Sequence, residues 1–214
     1  MTKKDDIMWL ESVDSTNNEA ARRIADLDNL SVLSALSQTS GRGQRGNVWL
    51  SKPGENLTFS IVLKYRTSKE QSEKRPAMKA EDQLAISELT AVSVTELLYE
   101  YGIDAKIKWP NDIYVGDKKI CGILIEHSVI GKFLSHSIIG VGININQDKF
   151  DSTLPNPASM KICMKTADKK GEDIDLNECL SKFMNIFKNN LRLLEEDRDY
   201  SRLHQRYIRR ALQQ

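Results

Sequence analysis

Residues 41–46 set two arginines among three glycines, and Trp49 follows shortly after. Guanidinium charges and closely spaced backbone N–H groups at that density suit an anion with several oxygens. The glycines let the backbone take φ > 0 and come close to a ligand. The surrounding stretch, residues 38–50, has no apolar periodicity and reads as a ligand loop rather than a strand or a helix with a buried face. It is not a Walker motif, which ends in Lys-Ser/Thr.

Other polar groups stand where apolar elements begin or end. They are Ser15, Thr16 and Asn17; Gln38; Lys108, Asn111 and Asp112; Lys119; and Asn144 and Asn146. With Arg42 and Arg45 they make a cationic, amide-rich set. No Ser-His-Asp grouping accompanies them, and no cysteine has a plausible base beside it. Such a set does not attack a substrate with its own side chains. It brings two anions together and neutralises them. A carboxylate attacking the α-phosphate of ATP has this need, commonly with Mg²⁺. Asn144 or Asp112 offers oxygen, the ligand type Mg²⁺ prefers.

The elements that must hold these groups follow from the apolar patterning. Residues 7–10 form a first strand. Thr16 and Glu19 spell a capping box at the start of a helix whose apolar face is Ala20, Ala21, Ile24 and Leu27. Residues 31–37 form a second strand leading into the loop. Residues 56–65 form a third, with Leu57, Phe59, Ile61 and Leu63 on one side. Residues 67–80 are polar and basic and read as a mobile connection. A long helix spans residues 81–101, its buried face including Leu84, Ile86, Leu89, Val92, Val94, Leu97 and Leu98, and Gly102 closes it. Residues 105–109 form a strand, residues 113–115 and 120–125 a hairpin through Gly116-Asp117, and residues 133–145 a further strand. Gly140 and Gly142 inside that strand mark close approach by another backbone or a ligand. After a proline-bearing shift near residues 147–159, Asp175 and Glu178 cap a helix carrying Leu176, Leu180, Phe183, Phe187 and Leu194, and a charged helix covers about residues 199–212. The order β-α-β-β-α-β-β-β-β, then helices, predicts an α+β domain: a mixed, mainly antiparallel sheet with helices packed on one face.

The totals set bounds. The 214 residues allow one sizeable domain. Hydrophobic residues are 40% and charged residues 29%, and 31 basic against 30 acidic side chains leave a net charge of +1. That balance argues against broad electrostatic binding to nucleic acid. No signal peptide or membrane span is evident. Cys121, Cys163 and Cys179 are odd in number and far apart, and fit a reducing cytoplasm. His127, His136 and His204 show no metal-ligand spacing.

In four segments the chain resembles the biotin protein ligases. Asp14-Ser15-Thr16-Asn17 is similar to the family's DSTN motif. Gly41-Arg42-Gly43-Gln44-Arg45-Gly46-Asn47-Val48-Trp49, followed by Ser51-Lys52-Pro53-Gly54-Glu55-Asn56-Leu57, is similar to its GRGRRGRxW signature and the run after it. Lys108-Trp109-Pro110-Asn111-Asp112, with Lys119 and Gly122-Ile123-Leu124-Ile125-Glu126, is similar to KWPND and GILxE. Gly140-Val141-Gly142-Ile143-Asn144-Ile145-Asn146 is similar to the GxGIN strand. The segments stand in family order.

The resemblance implies two half-reactions. Biotin and MgATP give biotinyl-5′-adenylate, and a lysine of a biotin carboxyl carrier domain then takes the biotinyl group. It implies that Ser15, Thr16, Asn17, Gln38, Gly41, Arg42, Lys119 and Gly122 hold biotin. It implies that Arg42, Gly43, Gln44, Arg45, Trp49, Asn111 and Asn144 hold ATP or the adenylate. Arg42, Lys119, Lys108 and Asp112 are the implied catalytic set, and Asn144 the implied Mg²⁺ ligand. The implied setting is cytoplasmic, with no membrane and no DNA partner, and with weak homodimerisation by edge-strand pairing in which residues 137–146 take part.

Three departures modify this. Gln44 stands where many members have arginine, and Asn47 where many have another arginine, so Arg45 and the backbone amides are expected to compensate for lost charge. The DSTN segment begins at residue 14, leaving no room for a winged-helix DNA-binding domain. The chain is expected to be a single catalytic domain over residues 1–214, with residues 172–214 a C-terminal helical segment and the family's SH3-like barrel reduced or cut away. Two rival readings are a lipoate or octanoate ligase and a non-catalytic biotin-binding regulator.

Overall fold

The computed structural model describes residues 7–65, 78–166, 173–197 and 200–212. Among these residues, seven strands form one sheet: β1 (Ile7–Leu10), β2 (Val32–Ala35), β3 (Leu57–Lys64), β4 (Lys106–Lys108), β5 (Asp112–Val115), β6 (Lys118–Ile130) and β7 (Phe133–Ile143). Their spatial order is β1-β2-β3-β7-β6-β5-β4. Only β1 and β2 run parallel, so the sheet is mixed and mainly antiparallel as expected. Among the described residues, five helices accompany it: α1 (Thr16–Arg22), α2 (Leu84–Glu100), α3 (Met160–Thr166), α4 (Leu176–Asp197) and α5 (Ser201–Arg210). The order of strands and helices up to β7 is the one expected, and α3 is an addition. Most of the connection expected at residues 67–80 lies outside the described residues.

Strand alternation sorts the side chains between two faces. Leu57, Phe59, Ile61 and Leu63 of β3 and Ile139, Val141 and Ile143 of β7 join the main core with α2 and α4. Phe59 and Phe183 meet edge-to-face with ring centroids 5.2 Å apart, and Phe187 lies 5.9 Å from Phe183. All three rings are fully buried. Phe183→Ala is therefore expected to cost about 3–5 kcal/mol, the usual loss for a buried aromatic, read as a lower urea midpoint with an unchanged slope.

The opposite face is only partly covered. Ala20 and Leu27, within and just after α1, pack there on Leu33, Val62 and Ile138. Helices thus lie on both faces, where one was expected: α1 is short and its few apolar residues suffice for this smaller cluster. The rest of that face holds Thr58, Ser60, Gly122, Leu124, Gly140 and Gly142 and is left for the site.

Four local expectations change. Thr16 does not cap α1; Ser15 is the N-cap residue and makes no side-chain cap bond. The Thr16 hydroxyl has better buried partners, described below, and Glu19 instead pairs with Arg22. Leu84 is 54% exposed at the first turn of α2 rather than on its buried face. The long helix starts at Leu84, after a 3-10 turn at Ala80–Asp82. Strand β7 is hydrogen-bonded to β3 on one side and β6 on the other, so residues 137–143 cannot pair edge-to-edge with a second copy. The outermost strands are β1 and β4, and β4 is partly covered, since Ala211 bridges Ile107 and Leu212 N–H donates to the Ile107 carbonyl at 2.8 Å.

Candidate active site

A cavity of about 400 Å³ opens on the α1 face of the sheet. Its floor is the middle of β6 and β7, where Gly122 and Gly142 stand directly opposite one another, as do Leu124 and Gly140. Each floor glycine makes room for one side chain. A Cβ on Gly142 would lie 2.4 Å from the Trp49 indole, and one on Gly122 would lie 3.0 Å from it. A Cβ on Gly140 would lie 2.4 Å from Asn17 Oδ1. The indole therefore rests on bare backbone of two neighbouring strands, which no other residue type allows.

The arginine–glycine loop is a small flap. Arg42 and Val48 form an antiparallel bridge, Gly43 N–H donates to the Asn47 carbonyl at 2.7 Å, and Trp49 N–H donates to the Gly41 carbonyl at 2.9 Å. A turn at Gln44–Gly46, with Arg45 at φ 55° and Gly46 at φ 82°, closes it. Arg42, Gly43, Gln44, Arg45, Asn47, Val48 and Trp49 all line the cavity. The loop thus has more regular structure than its lack of periodicity suggested, because its backbone pairs with itself.

The opposite wall carries Lys119. Strand β6 has a bulge where it meets β5: Tyr114 pairs with Lys119, but Ile113 pairs with Cys121. Ile120 and Cys121 both enter the core, and Lys119 turns to the cavity side with Asp112, which is what a bulge accomplishes. Lys119 Nζ lies 2.7 Å from Asp112 Oδ1 and 5.7 Å from the Trp49 ring centroid. The Lys119 backbone is pinned from outside by residues 156–158: its N–H donates to the Asn156 carbonyl and its carbonyl accepts from Ala158 N–H, each at 2.8 Å. Burial pushes the neighbouring Cys121 thiol far above its usual range, so it is no nucleophile here.

A third wall is a chain of hydrogen bonds. Gln38 Oε1 accepts from Thr16 N–H at 2.8 Å and from the Thr16 hydroxyl at 3.2 Å. The Ser60 hydroxyl lies 2.8 Å from Thr16 Oγ1 and donates to Asn17 Oδ1 at 2.6 Å. Asn17 Nδ2 donates to Glu126 Oε2 at 2.8 Å and to the Leu124 carbonyl at 3.2 Å. Arg42 donates to Glu126 at 2.8 and 3.3 Å and to Asn18 Oδ1 at 2.7 Å. At the start of this segment Arg22, then Asn18, hold the Asp14 carboxyl well below the usual carboxylate range. Asp14 anchors α1 and is not a base.

Of the residues expected at the site, Ser15, Thr16, Asn17, Gln38, Arg42, Gly43, Gln44, Arg45, Trp49, Asn111, Asp112, Lys119 and Gly122 line this one cavity. Three do not. Lys108 is exposed, with its Nζ 4.8 Å from the Tyr114 ring centroid. Gly41 is buried at the base of the flap and lines a smaller neighbouring cavity. Asn144 is buried one step beyond the glycine floor, where Nδ2 donates to the Ala158 carbonyl at 2.9 Å. Asn111 lines the cavity but spends its amide on the Ile123 carbonyl, at 2.7 Å, stapling the turn to β6. Ser60, Asn18 and Glu126 were not singled out. Ser60 was signalled only as a hydroxyl on the non-core side of β3, and Glu126 only as the last letter of a motif.

The arrangement has three cations in its lining, Arg42, Arg45 and Lys119, an aromatic platform on a glycine floor, and a hydrogen-bonding wall of Thr16, Asn17 and Gln38. Among the described residues no cluster of His, Cys, Asp or Glu forms a metal cage. Asn144 Oδ1 and Trp49 Nε1 are buried without a hydrogen-bond partner among the described residues.

A description of the Biotin/lipoate A/B protein ligase family matches residues 9–144. The bifunctional ligase/repressor BirA of Escherichia coli is 29% identical over 189 residues, which are 88% of this chain and 54% of that protein. BirA of Bacillus subtilis is 32% identical over 185 residues, 86% of this chain and 52% of its own. The chain spans about half the length of these relatives. Among solved structures, the biotin protein ligase of Aquifex aeolicus in complex with biotin and ATP is similar with a TM-score of 0.77 at 28% identity, covering 98% of this chain and 79% of that one.

Proposed function

The chain belongs to the Biotin/lipoate A/B protein ligase family, and on that premise we propose that it joins biotin to a lysine of a biotin carboxyl carrier domain through biotinyl-5′-adenylate. The observation that carries this reading is convergence. Four segments distant in sequence meet at one cavity, with Arg42, Arg45 and Lys119 in its lining and, among the described residues, no cysteine or histidine beside them.

In the first step a biotin carboxylate oxygen bonds to the α-phosphorus of ATP, and the bond from that phosphorus to the bridging oxygen breaks, releasing pyrophosphate. Arg42 and Lys119 offset the charge of two approaching anions, which is the main barrier to their meeting. Gln38, Thr16 and Asn17 supply the neutral polar wall for the uncharged end of biotin. Trp49 offers its ring to the adenine. In the second step a neutral carrier amine attacks the acyl carbon, the amide forms as the amine nitrogen gives up one proton to solvent, and AMP leaves with the electron pair of the broken acyl–oxygen bond. The unpartnered Asn144 Oδ1 is the oxygen that would hold Mg²⁺, since Asp112 Oδ1 is taken by Lys119 at 2.7 Å. Bound there with the nucleotide, the ion would neutralise phosphate charge. The similar Aquifex aeolicus structure, a biotin protein ligase in complex with biotin and ATP, and the Lys-Trp-Pro-Asn-Asp turn favour biotin over lipoate.

The test is labelling of a purified carrier domain. With biotin and ATP the carrier should gain one biotinyl group at one lysine, with one AMP released per group. A carrier that stays unmodified while the protein binds biotin would support the regulator reading instead.

A further inference from the structure

Arg42, one of two flap arginines that line the cavity, is already engaged. Two of its nitrogens reach the Glu126 carboxylate, at 2.8 and 3.3 Å, and one also reaches Asn18 Oδ1 at 2.7 Å. Glu126 stands on β6 two residues beyond Leu124, on the face of the floor. Its carboxylate is also fixed from below by Asn17 Nδ2 at 2.8 Å, and Asn17 in turn is fixed by Ser60 at 2.6 Å and by its contact with Gly140. The flap, α1 and β6 are therefore tied together through one carboxylate. The pair is partly open, with side-chain exposures of 43% and 38%. Its coupling is accordingly modest, and solvent and an incoming anion can reach it.

We propose that Glu126 is a built-in competitor for Arg42: it holds the guanidinium, and with it the flap, across the cavity, and a ligand carboxylate or phosphate must take the guanidinium from it. This rests on the ligase reading for the identity of the ligand. Glu126 is a positioning residue, acting through Arg42. A fixed negative charge at this point opposes any anion that enters the cavity, so the same residue that holds the flap also weakens binding of the charged end of the ligand. Release of Arg42 after the second step returns it to Glu126, which favours departure of AMP.

Glu126→Gln keeps the length of the side chain and an oxygen for Asn17 and Arg42, and removes the charge. Binding of biotin and of its primary alcohol, which carries no charge, is measured by calorimetry at low salt for the wild type, Glu126→Gln and Glu126→Asp. The preference for acid over alcohol should rise about threefold to tenfold in Glu126→Gln, the scale of one partly exposed charge pair, and stay near the wild-type value in Glu126→Asp. A role in holding the fold alone would change both ligands alike, and an unchanged or reduced preference in Glu126→Gln overturns the proposal. If the wild type binds neither ligand, it is the biotin reading that fails, and this inference falls with it.

Discussion

Lys119→Ala is expected to lower the rate of adenylate formation by about 10²–10³-fold, the usual loss when one preorganised charge stabiliser is removed from a closed site. The effect should appear in kcat as well as in kcat/KM for ATP, because the charge it offsets grows as the carboxylate and the α-phosphate approach. Folding should be little affected: the residue's backbone is held by Asn156 and Ala158, and its side chain touches the cavity rather than the core. The substitution also strands Asp112, whose Oδ1 lies 2.7 Å from Lys119 Nζ. An unpaired carboxylate facing a triphosphate repels it. Adding Asp112→Asn to Lys119→Ala should therefore recover part of the lost ATP affinity but none of the lost kcat. Pyrophosphate exchange measured across ATP concentrations separates the two. A single variant that keeps kcat within twofold would remove Lys119 from the chemistry.

Gly142→Ala is the second large effect. Its methyl group would stand 2.4 Å from the Trp49 indole, well inside contact distance. The β7 backbone cannot yield, since β3 and β6 bond it on both sides. Trp49 must lift, and the flap joined to it through the Gly41–Trp49 hydrogen bond must lift with it. Displacing a positioning element by about 1 Å can cost 10²-fold in rate, and a loss of about that size in kcat/KM for ATP is expected. The core on the other face of β7 is untouched, so the unfolding midpoint should stay near wild type. Trp49→Phe in the same background, with a smaller ring, should restore part of the activity. Full activity in Gly142→Ala alone would mean that the indole has no part in holding the nucleotide.

Much of this architecture is legible in the residue order. Alternation in residues 57–63 and 138–143 marks strands with one apolar face, and the two glycines of β7 mark the close approach that Asn17 and Trp49 make. The hairpin through Gly116-Asp117 and the Asp175 cap of α4, where Glu178 N–H donates to the Asp175 carboxylate at 2.8 Å, follow from local chemistry alone. Other features depend on partners far along the chain. The bulge that aims Lys119 arises from pairing with Tyr114, and periodicity within β6 gives no sign of it. Thr16 looks like half of a capping box until Gln38 and Ser60 are seen beside it. The inner position of β7 is a property of the whole sheet. Lys108 sits in a site motif, yet its strand is short and at the sheet edge, so its side chain has the freedom to lie over Tyr114. Glu126 needed three elements to meet before its part was visible.

The central claim is that Arg42 and Lys119 bring a carboxylate and ATP together, and that the carboxylate is biotin's. Acid-dependent exchange of labelled pyrophosphate into ATP tests it without any carrier protein. The account predicts no exchange with ATP alone, exchange on adding biotin, and much less on adding lipoate. Exchange driven better by lipoate, or tight biotin binding with no exchange at all, would contradict it.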